Sequence, residues 1–173
     1  MTFATGHHDT RRAFTLIELI LVLALLVIIT SMAVPHMASF IRGRALDSEA
    51  RRLMAVMHVA QSRAVSEGMP MMLWMDEKGG SYGYQAETSG QNGDPKAEKM
   101  NLDSTLGMSV STTATAPVTF QNLPAIKFLA DGTIDENSPQ TLKLVDADGF
   151  SRTFQENSYH TGYEVFDSTG QQQ

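Results

Sequence analysis

The sequence predicts an α+β fold, a long N-terminal helix packed on a domain of antiparallel β-strands. Three observations predict it. Residues 14–41 form an apolar run in which Glu18 is the only charged side chain. Beyond Arg44, the residues Leu46, Ala50, Leu53, Met57, Ala60 and Ala64 recur at alternating spacings of four and three, one face of a helix. From Met71 onward, short apolar or alternating runs are separated by turn residues, the pattern of short strands.

The helix comes first. Residues 14–41 would span about 42 Å as a helix, enough to cross a hydrocarbon core of about 30 Å. Pro35 removes one backbone donor and is expected to kink or loosen the helix. The amphipathic stretch then continues it, with Asp47, Glu49, Arg51, Arg52, Gln61 and Arg63 on other faces. The segment Glu67-Gly68-Met69-Pro70 supplies a stop.

The strands follow. Met71-Met72-Leu73-Trp74-Met75 and Tyr82-Gly83-Tyr84-Gln85-Ala86 flank a turn at Lys78-Gly79-Gly80. Residues 88–104 are polar and read as an exposed loop. Met108-Ser109-Val110-Ser111, Val118-Thr119-Phe120 and Ile126-Lys127-Phe128-Leu129 are weaker strand signals, the last ending at an Asp131-Gly132 turn. Leu142-Lys143-Leu144-Val145 and Arg152-Thr153-Phe154 flank Asp146-Ala147-Asp148-Gly149, a hairpin signal. Tyr163-Glu164-Val165-Phe166 is the last strand, and Gln171-Gln172-Gln173 a frayed tail.

Charge narrows the function. The 173 residues carry a net −6, and from Ala45 onward 9 Lys and Arg stand against 17 Asp and Glu, a net −8. That balance argues against a nucleic-acid-binding surface. There is no cysteine, hence no disulfide and no thiolate metal site. His7, His8, His36, His58 and His160 show no ligand spacing, and no serine has a Gly-x-Ser-x-Gly context. No cofactor and no catalysis are expected. Asp131, Asp135, Asp146 and Asp148 are weak calcium candidates, and Asp-Gly also builds tight turns.

The N-terminus has three readings. Arg11-Arg12 with Ser31-Met32-Ala33 before Val34-Pro35 fits a secretory signal peptide, though the apolar run is long for one and contains Glu18. Thr10-Arg11-Arg12-Ala13-Phe14 fits a twin-arginine export signal, though the run is strongly apolar. Arg11-Arg12-Ala13-Phe14-Thr15-Leu16-Ile17-Glu18 resembles the prepilin motif of type IV pilins and pseudopilins.

That resemblance implies a pilin-like fold whose first helical half spans a membrane. It implies a leader at 1–13, a transmembrane and assembly helix at 14–41, an amphipathic continuation at 42–68 and a β-rich periplasmic domain at 69–173. A prepilin peptidase would cut between Ala13 and Phe14 and methylate the new amine; Ala13 stands where the family usually has Gly. Glu18 would neutralise the Phe14 amine of a neighbouring subunit, since two charges in an apolar bundle cost far less paired than alone. Ala60-Gln61-Ser62-Arg63-Ala64-Val65-Ser66-Glu67-Gly68 and Phe128-Leu129-Ala130-Asp131-Gly132 are similar to segments of minor pseudopilins of type II secretion systems, of the GspH/FimT type. The implied partners are the prepilin peptidase, other pseudopilins or pilins and the bacterial inner membrane. The alternatives are a minor type IV pilin for adhesion, motility or DNA uptake, and a membrane-anchored or secreted protein with a conventional signal peptide.

Overall fold

The structure, a computed structural model, describes residues 15–87 and 93–168, with side chains of residues 32–42 undescribed. The leader, the Ala13–Phe14 bond, residues 88–92 of the polar segment and the glutamine tail lie outside the described residues. The chain divides into two compact units, residues 1–39 and 40–173.

One helix, α1 (Leu16–Glu67), provides the described part of the first unit and enters the second. In the first unit every described side chain from Thr15 to Ser31 is exposed. Among the described residues no helix is long and apolar enough to cross a membrane. The described apolar side chains end at Ser31, and 16–31 spans only about 24 Å.

Among the described residues the second unit holds the rest of α1 and nine strands. A five-stranded sheet has the order β3 (Glu98–Asn101), β2 (Ser81–Ala86), β1 (Met71–Asp76), β6 (Leu123–Phe128) and β5 (Thr119–Phe120). A four-stranded sheet has the order β4 (Leu106–Ser111), β7 (Thr141–Asp146), β8 (Ser151–Glu156) and β9 (Tyr163–Asp167). Every strand pair is antiparallel. All six residues of the predicted helical stripe are buried, and with Leu73, Phe128, Leu144 and Phe154 they form one core shared by α1 and both sheets.

Polar ties fix the helix on that core. The Tyr82 hydroxyl donates to the buried Glu49 carboxylate at 2.7 Å, and burial followed by the Glu49 charge pushes its pKa up, so it remains a donor. Arg152 Nη2 pairs with Asp47 at 2.6 Å. Gln61 Nε2 donates to the carbonyls of Gly132 and Thr161, tying two loops to one helical turn. Near the helix end Arg63 pairs with Glu67 at 3.1 Å and with Asp94 at 3.0 Å, and Lys96 reaches Glu67 at 2.8 Å.

Two sequence expectations need correction. The 88–104 segment is not all loop, because it contains β3. That strand has one inward apolar residue, Met100, between exposed polar ones, so it lacks an alternation signal. Its strand state comes from pairing with β2, in register Tyr82 to Met100. The strand expected from Ile126 begins instead at Leu123, because Gln121 and Asn122 both adopt positive φ and close a two-residue hairpin to β5 without glycine.

Candidate functional site

The start of α1 is built as a cap. Thr15 precedes the first helical residue, and the Glu18 N–H donates to Thr15 Oγ1 at 3.3 Å and to the Thr15 carbonyl at 3.1 Å. Thr15-x-x-Glu18 is thus a capping-box spacing, with the hydroxyl satisfying one of the orphan donors of the first turn. Glu18 lies in that first turn and is exposed, where a carboxylate also complements the positive end of the helix dipole. The Thr-x-x-Glu spacing is the sequence signal for this cap, whereas the prepilin resemblance gives Glu18 an assembly role and Thr15 none.

From Leu16 to Ile29 the helix is apolar on all sides apart from Glu18. Leu16 is 76% exposed and Val27 64%. The two hydroxyl residues that follow bond to the helix backbone: Thr30 Oγ1 donates to the Leu26 carbonyl at 2.8 Å and Ser31 Oγ to that of Ile28 at 2.8 Å. A helix that is apolar all round and satisfies its own hydroxyls is suited to surroundings without water.

The remaining predicted site residues divide plainly. Ala13 and Phe14 lie outside the described residues. Pro35 falls within α1, which continues on both sides of it, and its side chain is undescribed. The four aspartates do not converge on one point. Asp131 Oδ1 accepts from the Thr133 N–H at 2.9 Å and from its hydroxyl at 2.6 Å, and these bonds, the hydroxyl first, lower its pKa. Asp135 accepts from the Asn137 N–H, and Asp146 from the N–H groups of Asp148 and Phe150 across the β7–β8 turn. Each caps a turn. Among the described residues no three His, Asp or Glu side chains are grouped to hold a metal ion.

The described first unit presents a capped, apolar, exposed helical segment carrying one carboxylate. Residues 49–168 match the family described as type II transport protein GspH, and residues 9–34 match the prokaryotic N-terminal methylation motif. No protein with a curated description matches the chain. Among solved structures, it is similar to the minor pseudopilin EpsH from the type 2 secretion system of Vibrio cholerae. That likeness has 13% identity and a TM-score of 0.53, and covers 70% of this chain and 96% of that one. It is also similar to the type IV minor pilin FimU of Pseudomonas aeruginosa, at 18% identity and a TM-score of 0.54, covering 78% and 96%. At these identities the two structures speak for the α+β fold alone.

Proposed function

The chain belongs to the GspH family of type II transport proteins, and from that membership we propose that it is a minor pseudopilin of a type II secretion system. Proteins of this family are structural components and not enzymes. In this reading a prepilin peptidase cuts the chain between Ala13 and Phe14 and methylates the new amine. The helix from Phe14 is held in the bacterial inner membrane, and the domain enters a periplasmic pseudopilus with other pseudopilins.

The observation that carries this reading is the exposed apolar collar of α1, headed by the capped Glu18 and matched by the methylation motif. An apolar helix of this length exposed on all sides must be covered by lipid or by other helices. Sequence alone extends the apolar run to Ile41, about 42 Å of helix, which supports a single membrane pass. Cleavage would leave an ammonium at Phe14, four residues before Glu18. An unpaired carboxylate among apolar helices is costly, so assembly that brings a neighbour's Phe14 amine to Glu18 is favoured over unpaired packing. Pro35 would let the helix adjust its direction within the assembly.

Intact mass of the membrane-extracted protein tests the maturation. The expected chain starts at N-methylated Phe14; a start at Val34 or an uncut Met1 would overturn the reading. A minor type IV pilin is the second reading, since the prepilin motif matched at residues 9–34 is common to pilins and pseudopilins. Deleting the gene separates the two: loss of protein secretion with intact pili supports the pseudopilin, and the reverse supports the pilin.

A further inference from the structure

Beside the buried stripe of α1 lies an open groove of about 550 Å³ between the helix and β9. Ala50, Met54, Ala55 and Val165 form its apolar floor and wall, Arg51 and His58 stand on the helical side, and Asp47 closes one end. Met54 and Val165 are half-buried and pack on the core, so the floor is fixed to the domain. Among the described residues β9 pairs only with β8, at the edge of its sheet.

The charges of this groove run against the rest of the domain. Residues from Ala45 onward carry a net −8. Yet Arg44, Arg51 and His58 follow one another at seven-residue spacing on one side of α1. Asp47 is already neutralised by Arg152 at 2.6 Å. Arg51 and His58 are exposed and, among the described residues, make no hydrogen bond or ion pair, whereas Arg52, Arg63 and Arg152 each engage a carboxylate. A guanidinium without an acceptor beside an apolar floor is the mirror image of an acidic segment bearing an apolar side chain.

An anionic lipid surface would also attract arginine. However, Arg44 and His58 are about 21 Å apart along the helix axis, beyond a Debye length of about 8 Å, so a surface at one end would engage only one end. The groove runs from Asp47 to His58 and has an apolar floor, which a headgroup does not fill.

We propose that this groove seats an acidic segment of a neighbouring subunit. An apolar side chain covers Met54 and Val165, and a carboxylate is held between Arg51 and His58. The thioether of Met54 suits a seat that adapts to its occupant. This rests on the assembly reading above but assigns a contact that it does not contain.

The chain has no cysteine, so Ala55→Cys gives a single thiol at the groove in the full-length protein. A heterobifunctional photocrosslinker on that thiol is activated in intact membranes, and the adducts are sequenced by mass spectrometry. The expected adduct is an Asp- or Glu-containing peptide from a protein that bears an N-terminal methylation motif. Its yield should fall at least roughly tenfold with Arg51→Glu and be retained with Arg51→Lys. A thiol at Lys78→Cys, in the β1–β2 turn, should not give that peptide. Adducts only to lipid, no adduct, or an adduct indifferent to Arg51→Glu would overturn the proposal. The same samples report the N-terminus. A methylated Phe14 without the adduct sinks the groove and leaves the pseudopilin reading intact; the Arg51-dependent adduct without Phe14 processing does the opposite.

Discussion

The two halves of α1 share one backbone conformation and have opposite fates. In the first, Leu16, Leu23 and Val27 are 76%, 54% and 64% exposed; in the second, Leu53 and Ala60 are fully buried. Apolarity therefore does not distinguish them. The second half places its apolar residues on one stripe, and two sheets cover that stripe. The first half is apolar all round, and a sheet can cover only one side of such a helix. Its remaining surface calls for partners outside the chain. The part of the helix that the chain finishes by itself and the part it leaves to others are separated by pattern, and pattern is present in the sequence.

The comparison breaks first at Leu53. Truncation to Ala should cost the second unit about 2–5 kcal/mol, because Leu53 is fully buried in the core that α1 shares with both sheets. Leu23→Ala should leave the unfolding of that unit unchanged and reduce assembly instead. Denaturant unfolding of the full chain in detergent, beside filament recovery from membranes, reads both. Equal destabilisation by the two changes would mean that the apolar half packs within its own chain.

Asp94 ranks next. It accepts from the N–H of Ala86 at 2.9 Å and of Lys96 at 2.9 Å, and pairs with Arg63 across to α1. Burial pushes its pKa up, but the two N–H groups and Arg63 outweigh that, and the net shift is downward from 3.8. A depressed folded value means the stabilisation is present above the unfolded pKa, near 4, and is lost as pH falls through the folded value. Asp94→Ala should cost about 2–3 kcal/mol at neutral pH. It should also flatten the acid limb of the stability curve, measured by unfolding between pH 2 and 7 (about the range over which carboxylates titrate). An unchanged acid limb would mean that other carboxylates dominate it.

Gly83 sharpens the account of the β half. It faces Trp74 across β1 and β2, and a Cβ there would lie 2.6 Å from the Trp74 ring and collide with the Glu98 carbonyl. Gly83→Ala should therefore cost about 1–3 kcal/mol and disturb Trp74 fluorescence, although glycine in a strand is otherwise a weak choice.

How much was legible follows the same division. The helical stripe, β1, β2, the β7–β8 hairpin and β9 each carry a local signal: a period of 3.6, a short apolar or alternating run, or a glycine turn. β3 carries none, since Met100 alone faces in and the strand exists because β2 needs a partner. The Gln121-Asn122 hairpin was hidden because positive φ was reached without glycine. The partition of nine strands into two sheets was also beyond reach, because it depends on contacts far apart in sequence. At the candidate site, Glu18 stood out as a charge among apolar residues, whereas Thr15 drew no notice as a cap. The seven-residue spacing of Arg51 and His58 is present in the sequence, but only the structure sets a groove beside it.

The smallest expected effect lies at Thr15, and it decides what holds the exposed half in shape. No sheet supports that end, so its first turn rests on local bonds. Thr15→Ala removes the hydroxyl acceptor, leaves the Glu18 N–H only the Thr15 carbonyl at 3.1 Å, and should cost about 1 kcal/mol of local helix stability. Thr15→Ser keeps the acceptor and should cost little. Amide exchange of residues 16–19 in detergent is the direct readout: faster with Ala by roughly fivefold, near unchanged with Ser, with amides near Leu53 unaffected in both. If both variants exchange like the original, the detergent or lipid environment sets the first turn, and Glu18 is held there without its cap. If the Ala variant also loosens residues near Leu53, the two halves of the helix are energetically coupled and do not have the independence their opposite burial implies.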